Sequence, residues 1–249
     1  MRRILAITAA AFLAVSALVG LAPTTASAAD ELSEKRVMEI VEKMLREQPE
    51  IIVEALTAYQ AKQELAEKER QREMLSSNNR NLYNRPGDPF IGNPDAKITV
   101  VEFFDYRCGY CKRVLKDVVA LTEANPDIKV VFKEFPILGD ASVLASRISL
   151  AVNEVAPAKY AEFHKKVMGG RGAVNKASLL RIADALGIDT AAVEAAMEAK
   201  AVSSAIRENY ELAEQLGIRG TPAFVVGDQV IPGAVDRATL EKLIAQQRG

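Results

Sequence analysis

The spacing of apolar residues changes several times along the chain, and each change marks a different element. An apolar run from Ile4 to about Ala22 follows Arg2 and Arg3 and precedes Ala26-Ser27-Ala28. That layout is the one of an export leader cut after small residues, so 1–28 is read as a signal peptide. The run is also close to the ~20 residues that span a bilayer, which keeps an uncleaved anchor open. From Glu31 to about Ser76 apolar residues are sparse. Val37, Ile40, Val41, Met44 and Leu45 recur in steps of three and four and line one stripe of a first helix. Pro49 suits the start of a second helix, where its missing N–H is no loss, and Ile51, Ile52, Ala55, Leu56 and Tyr59 continue a stripe. Beyond them Lys62, Glu64, Glu67, Lys68, Glu69, Arg70, Arg72 and Glu73 describe a solvated helix or stalk. Short helices with one stripe each must pack on the rest of the chain or on copies of themselves. Self-association is the expectation, with 29–76 an α-helical oligomerisation segment and 77–88, which includes Asn78-Asn79-Arg80-Asn81, a linker.

Gly87, Pro89, Gly92 and Pro94 open a new domain over 89–249, and the period shortens. Ile98 to Phe104 is β-branched and aromatic and reads as a buried strand, Tyr110 to Ala124 as a helix, and Ile128 to Phe135 as a second strand. Residues from about 141 to 216 are nearly all helix formers, broken at Ala156-Pro157, Gly169-Gly170, Gly172 and Gly187, and are read as a helical insertion. Ala223 to Val226, a turn at Gly227-Asp228 and Gln229 to Ile231 then form a hairpin, and Arg237 to Gln247 a last helix. The fold class is α/β.

Composition changes this picture little. Of 32 basic and 33 acidic residues, the leader holds Arg2 and Arg3 and no acid, so its removal leaves 30 against 33, a formal charge of −3. With no long run of lysine and arginine, a nucleic-acid partner is not expected.

The two cysteines change it most. Cys108 and Cys111 stand three positions apart at a strand-to-helix junction, in a chain read as exported to a disulfide-permissive compartment. A bridge closing so short a loop would constrain the unfolded chain little. At a helix start, both sulfurs sit on one turn within disulfide reach, and free N–H groups there stabilise a thiolate. Cys108 is therefore expected to be the exposed nucleophile and Cys111 the buried thiol that resolves its mixed disulfide. Gly109 and Tyr110 between them carry no cation. A zinc site needs four ligands, and the lone His164 lies in the helical insertion, where it reads as a packed or surface imidazole. Glu102, inside an apolar strand, is either a buried proton acceptor for Cys111 or an edge-facing glutamate, and Lys133 on the neighbouring strand is a candidate partner for it. Gly220-Thr221-Pro222 precedes the hairpin; by itself Pro222 is an ordinary start of a strand, since cis X-Pro bonds are only roughly 5–6%.

The stretch Val101-Glu102-Phe103-Phe104-Asp105-Tyr106-Arg107-Cys108-Gly109-Tyr110-Cys111-Lys112, with Phe132-Lys133-Glu134-Phe135-Pro136 and Gly220-Thr221-Pro222, resembles the DsbA family of periplasmic thiol-disulfide oxidoreductases from about Asp88 to the C-terminus. The resemblance implies a thioredoxin fold with an inserted helical subdomain, a catalytic Cys108, a resolving Cys111, and Pro222 as a cis proline facing them. It matches Glu102 to the family's buried acid, and Thr221 is similar to the residue before the proline in isomerases. The N-terminal segment with Pro49-Glu50-Ile51-Ile52 is similar to the ScsC-like branch, whose segments form oligomers, trimers included. A homotrimer or homodimer is thus implied, together with periplasmic localisation and exported cysteine-containing proteins as substrates. A membrane thiol-redox partner, DsbD/ScsB-like or DsbB-like, is implied as well, and no cofactor is expected. Gly109-Tyr110 stands where the strongest oxidases carry Pro-His, a departure that argues against potent oxidase activity. Two other readings stay open: a monomeric dithiol oxidase, and a non-enzymatic copper(I)-binding protein for copper tolerance that uses the soft thiolate pair.

Overall fold

Strands whose side chains alternate between two faces need apolar cover on each, and the elements after Gln60 supply it from both sides. The structure, a computed structural model, describes residues 33–248; the leader assigned to 1–28 lies outside the described residues. Two compact units divide the chain between Tyr59 and Gln60.

In the first unit, α1 (Glu34–Glu47) begins at Ser33, whose hydroxyl accepts from the Arg36 N–H at 3.3 Å, satisfying one donor that the helix start leaves free. The helix α2 (Glu50–Ser77) starts directly after Pro49, and its residues from Gln60 on belong to the second unit. No residue of α1 is buried, and Val37, Ile40, Val41 and Met44 are 40–47% exposed. The stripe predicted from spacing is thus a helix face open to solvent.

In the second unit, α3 (Asn79–Tyr83) and β1 (Phe90–Gly92) lead into β2 (Ile98–Phe104), α4 (Gly109–Ala124) and β3 (Ile128–Glu134). Then come α5 (Asp140–Val155), α6 (Pro157–Gly169), α7 (Lys176–Ala185), α8 (Thr190–Ala196) and α9 (Lys200–Gln215), the hairpin β4 (Ala223–Val226) and β5 (Gln229–Pro232), and α10 (Arg237–Gln247). The sheet runs β1-β3-β2-β4-β5. β2 and β3 are parallel, joined by α4 as the crossover that parallel strands require, and the other pairs are antiparallel. This is the expected thioredoxin arrangement.

Alternation along the strands sorts two cores. Val100, Phe104, Val130, Phe132, Phe224 and Val226 pack with α4, α5, α6 and α10. Val101, Phe103, Val131 and Val225 face the other way, against Leu75 at the end of α2, Leu82 of α3, and Leu212 and Ala213 of α9. Cover on both faces is why β2 reads as an unbroken apolar run rather than an alternating one.

Several expectations change here. The segment 77–88, read as a linker, is part of the domain: Leu82 is fully buried, and the Tyr83 hydroxyl donates to the Gly227 carbonyl at 2.6 Å. The helical run at 141–216 is not one insertion, because α9 covers the second sheet face while α5 to α8 pack with the first. Lys133 does not pair with Glu102. In the parallel register Lys133 lies beside Phe103 and Glu102 beside Phe132, so the two project from opposite faces. Lys133 is buried against Asp88 and the Asn81 carbonyl, and Arg85 extends this network to Asp88 at 3.1 Å and Glu208 at 2.8 Å. The edge strand β1 was missed, being three residues long with no readable period. Its Gly92 is required: φ is +94°, and a Cβ there would lie 2.6 Å from the Ile128 carbonyl.

Candidate active site

At the C-terminal end of β2 the chain leaves the sheet through Asp105-Tyr106-Arg107 and turns into α4. Asp105 shapes this turn. Its buried carboxylate accepts from the Arg107 N–H at 2.7 Å, the Leu138 N–H at 3.0 Å and the Ser142 hydroxyl at 2.8 Å, and its carbonyl accepts from the Cys108 N–H at 3.0 Å. The loop before the cysteines is thereby tied to the start of α5. Tyr106 is fully buried, with its hydroxyl 2.7 Å from Ser149 Oγ and 3.0 Å from His164 Nδ1.

Cys108 is the N-cap of α4, and its sulfur accepts from the Cys111 N–H at 3.5 Å. Both thiols are free. Among the residues that the reading of the sequence singled out, the structure brings Cys108, Cys111, Thr221 and Pro222 together. The Thr221–Pro222 peptide is cis, and the Cys108 thiol donates to the Thr221 carbonyl at 3.2 Å. That loop also corrects one expectation. Cys108 is not openly exposed but only 6% accessible, against none for Cys111, because the segment before β4 lies over it.

Glu102 sits mid-strand between Phe132 of β3 and Phe224 of β4 and is 3% exposed, which removes the edge-facing alternative. Burial, and secondarily the charge of Cys108, pushes its carboxyl up to about 8. Burial also raises the Cys111 thiol, with the Glu102 charge adding to it. The acid and the Cys111 thiol each feel the other charges gathered at this end of the sheet.

Asp105, Tyr106 and Glu134 stand in the sequence only as members of the DsbA-like stretches, with no role attached, and His164 reads there as a packed or surface ring. His164 is buried, stacked on Phe132 with ring centres 4.2 Å apart, and burial lowers it to about 3, so it is neutral. Glu134 is buried, accepts from Ser146 Oγ at 2.7 Å, and is pushed by burial to about 8. Its side-chain partner Ser146 lies in α5, on the far side of a loop, so no local spacing announces it. Among the described residues no group of three or more His, Cys, Asp or Glu is arranged to hold a metal ion, and no helix is long and apolar enough to cross a membrane.

A sequence profile of the DSBA-like thioredoxin domain family matches residues 99–245, more than half of the chain. The chain belongs to this family. Members are thiol-disulfide oxidoreductases, and DsbA homologues are periplasmic. The DSBA-like domain is similar to a thioredoxin-like oxidoreductase from Silicibacter pomeroyi, with 41% identity over 68% of this chain and 96% of that one and a TM-score of 0.65. The chain is also similar to Proteus mirabilis ScsC in a transitional conformation, with 34% identity over 86% of this chain and 96% of that one and a TM-score of 0.65. Disulfide bond formation protein D of Bacillus subtilis is 26% identical over 173 residues, 65% of this chain and 77% of that protein.

Proposed function

We propose that the chain is an exported thiol-disulfide oxidoreductase that isomerises or forms disulfides in periplasmic proteins through Cys108-Gly109-Tyr110-Cys111, as a homo-oligomer. The observation that carries this reading is Cys108 at the first turn of α4, with the Cys111 N–H 3.5 Å and the Thr221 carbonyl 3.2 Å from its sulfur. Free N–H groups at a helix start favour a sulfur anion. The Cys108 thiolate attacks a partner disulfide, whose S–S bond breaks as the Cys108 bond forms and the released partner thiolate takes up a proton. Cys111, one turn further in, then displaces the partner, or the partner's own thiol does so and rearranges the pairing.

Glu102 is assigned the proton from Cys111. In the dithiol its carboxyl is held protonated near neutrality, partly by the charge of Cys108. Once Cys108 is bound in a mixed disulfide that charge is gone, and the carboxylate forms more readily, close enough for its charge to act on the Cys111 thiol. Pro222 and Thr221 shape the wall against which a partner chain lies.

Oligomerisation is supported by the open apolar face of α1, which needs a covering surface, and a second copy supplies an identical one. Residues 1–28 are assigned to export on their sequence pattern. Refolding of a scrambled disulfide substrate in redox buffer tests the chemistry: the protein restores substrate activity and Cys108→Ala does not. Failure of the unaltered protein to restore it rules out isomerase activity. Light scattering on the full chain with Val37, Ile40, Val41 and Met44 changed to Ser tests the assembly, and a mass equal to that of the unaltered chain removes α1 from it.

A further inference from the structure

The surface around Cys108 carries a charge imbalance that disulfide exchange does not need. Arg107 precedes the cysteine and donates to the Leu138 carbonyl. The Lys112 ammonium donates to the Gly170 carbonyl at 3.0 Å, with Arg171 next in the chain. The Arg113 guanidinium lies 4.8 Å from the centre of the exposed Tyr110 ring. Arg219 lines a groove of about 440 Å³ together with Thr221, Pro222, Val230 and Pro232, and Thr221 is the residue whose carbonyl meets the Cys108 sulfur. Arg107, Arg113, Arg171 and Arg219 are exposed and Lys112 is half-buried.

Among the described residues none of these cations forms an ion pair, although the chain holds 33 acidic residues against 32 basic. Their polar partners, where present, are carbonyls and an aromatic face, which fix position without cancelling charge. None of the nearby acids closes an ion pair with them. Glu102 is buried and raised to about 8, and Asp105 is buried under its own N–H and hydroxyl donors. Asp140, just past Leu138, and Glu211 and Glu214, which line the depression next to Arg219, make no pair with the rim.

We propose that this cationic rim selects polypeptide partners that carry acidic residues beside the reacting disulfide, with the partner chain laid along the groove lined by Thr221, Pro222 and Arg219. The inference rests on Cys108 being the reacting thiol. Exposed charges of this kind contribute little to the affinity of a docked chain, because solvent screens each pair. Together they steer encounter, which raises association rates by roughly 10–10³ and fades as salt screens beyond a Debye length of about 10 Å. The selection therefore appears in the rate of mixed-disulfide formation at low ionic strength.

The test uses the full chain in its dithiol form and fluorogenic peptides closed by one disulfide, identical except for Asp, Gln or Lys flanking the cysteines. Two electrons pass from Cys108 and Cys111 to the peptide disulfide, so no other oxidant or reductant is involved. Each rate is divided by that of dithiothreitol, a neutral dithiol, on the same peptide, which cancels intrinsic disulfide reactivity. The Asp peptide is expected to react about tenfold or more faster than the Lys peptide at about 20 mM salt, with the gap closing by about 0.5 M. Arg171→Glu combined with Arg219→Glu narrows or inverts that ratio. Equal normalised rates at low salt, with the Gln peptide reacting normally, overturn the selection and leave the thiol assignment standing. Inertness toward every peptide overturns both.

Discussion

Replacing Glu102 by Gln keeps the outline of the side chain and removes its titration. In the dithiol form, burial and then the Cys108 charge raise this carboxyl from an ordinary 4.5 to about 8. A carboxyl raised on folding holds its proton more tightly in the native state than in the unfolded chain. The native state therefore loses stability as pH climbs from the unfolded value toward the folded one, and nothing is lost below 4.5, where both states are protonated. At about 1.4 kcal/mol per unit, the unaltered protein loses roughly 3 kcal/mol relative to Glu102→Gln between about pH 5 and 7.5. Glu134, also near 8, is present in both proteins and cancels, as does any fixed penalty for burying the new amide. Urea unfolding of both proteins under reducing conditions, extrapolated to water at each pH, measures the difference. A difference that stays flat to within about 0.5 kcal/mol across that range refutes the coupling of this acid to its buried site.

Three further outcomes are expected. Leu82→Ala, at a fully buried position on the second sheet face, costs about 2–5 kcal/mol in urea unfolding, whereas a spacer residue would cost almost nothing. Lys133→Met leaves Asp88 buried with only Arg85 beside it and costs toward the lower end of about 3–5 kcal/mol, which Asp88→Asn in the same chain largely restores. Burial lowers His164 from 6.5 to about 3, so the native state loses stability as pH falls below 6.5, by roughly 2 kcal/mol at about pH 5. Acid unfolding of His164→Phe is correspondingly shallower than that of the unaltered protein.

Local pattern was enough to locate every element in which a few adjacent residues state the outcome. The β-branched run at Ile98–Phe104, the helix behind Cys108, the hairpin after Pro222 and the stripe of α1 each follow from chain stereochemistry and spacing. What depends on contacts between distant residues was not legible there. Glu102 and Lys133 look like neighbours in sequence pattern, yet the parallel register sends them to opposite faces, and only the packing on each face shows which one shares a face with the cysteines. The same holds for 77–88, where polar residues suggest a spacer while Leu82 is buried in one cluster with Leu212 and Ala213 of α9. It holds for Asp105, whose role is set by donors from Leu138 and Ser142. The near-closure of Cys108 by the segment at Thr221, and the unbalanced charge around it, likewise come from bringing together segments more than a hundred residues apart. Periodicity reports which face of an element is apolar; only the folded chain decides what meets it.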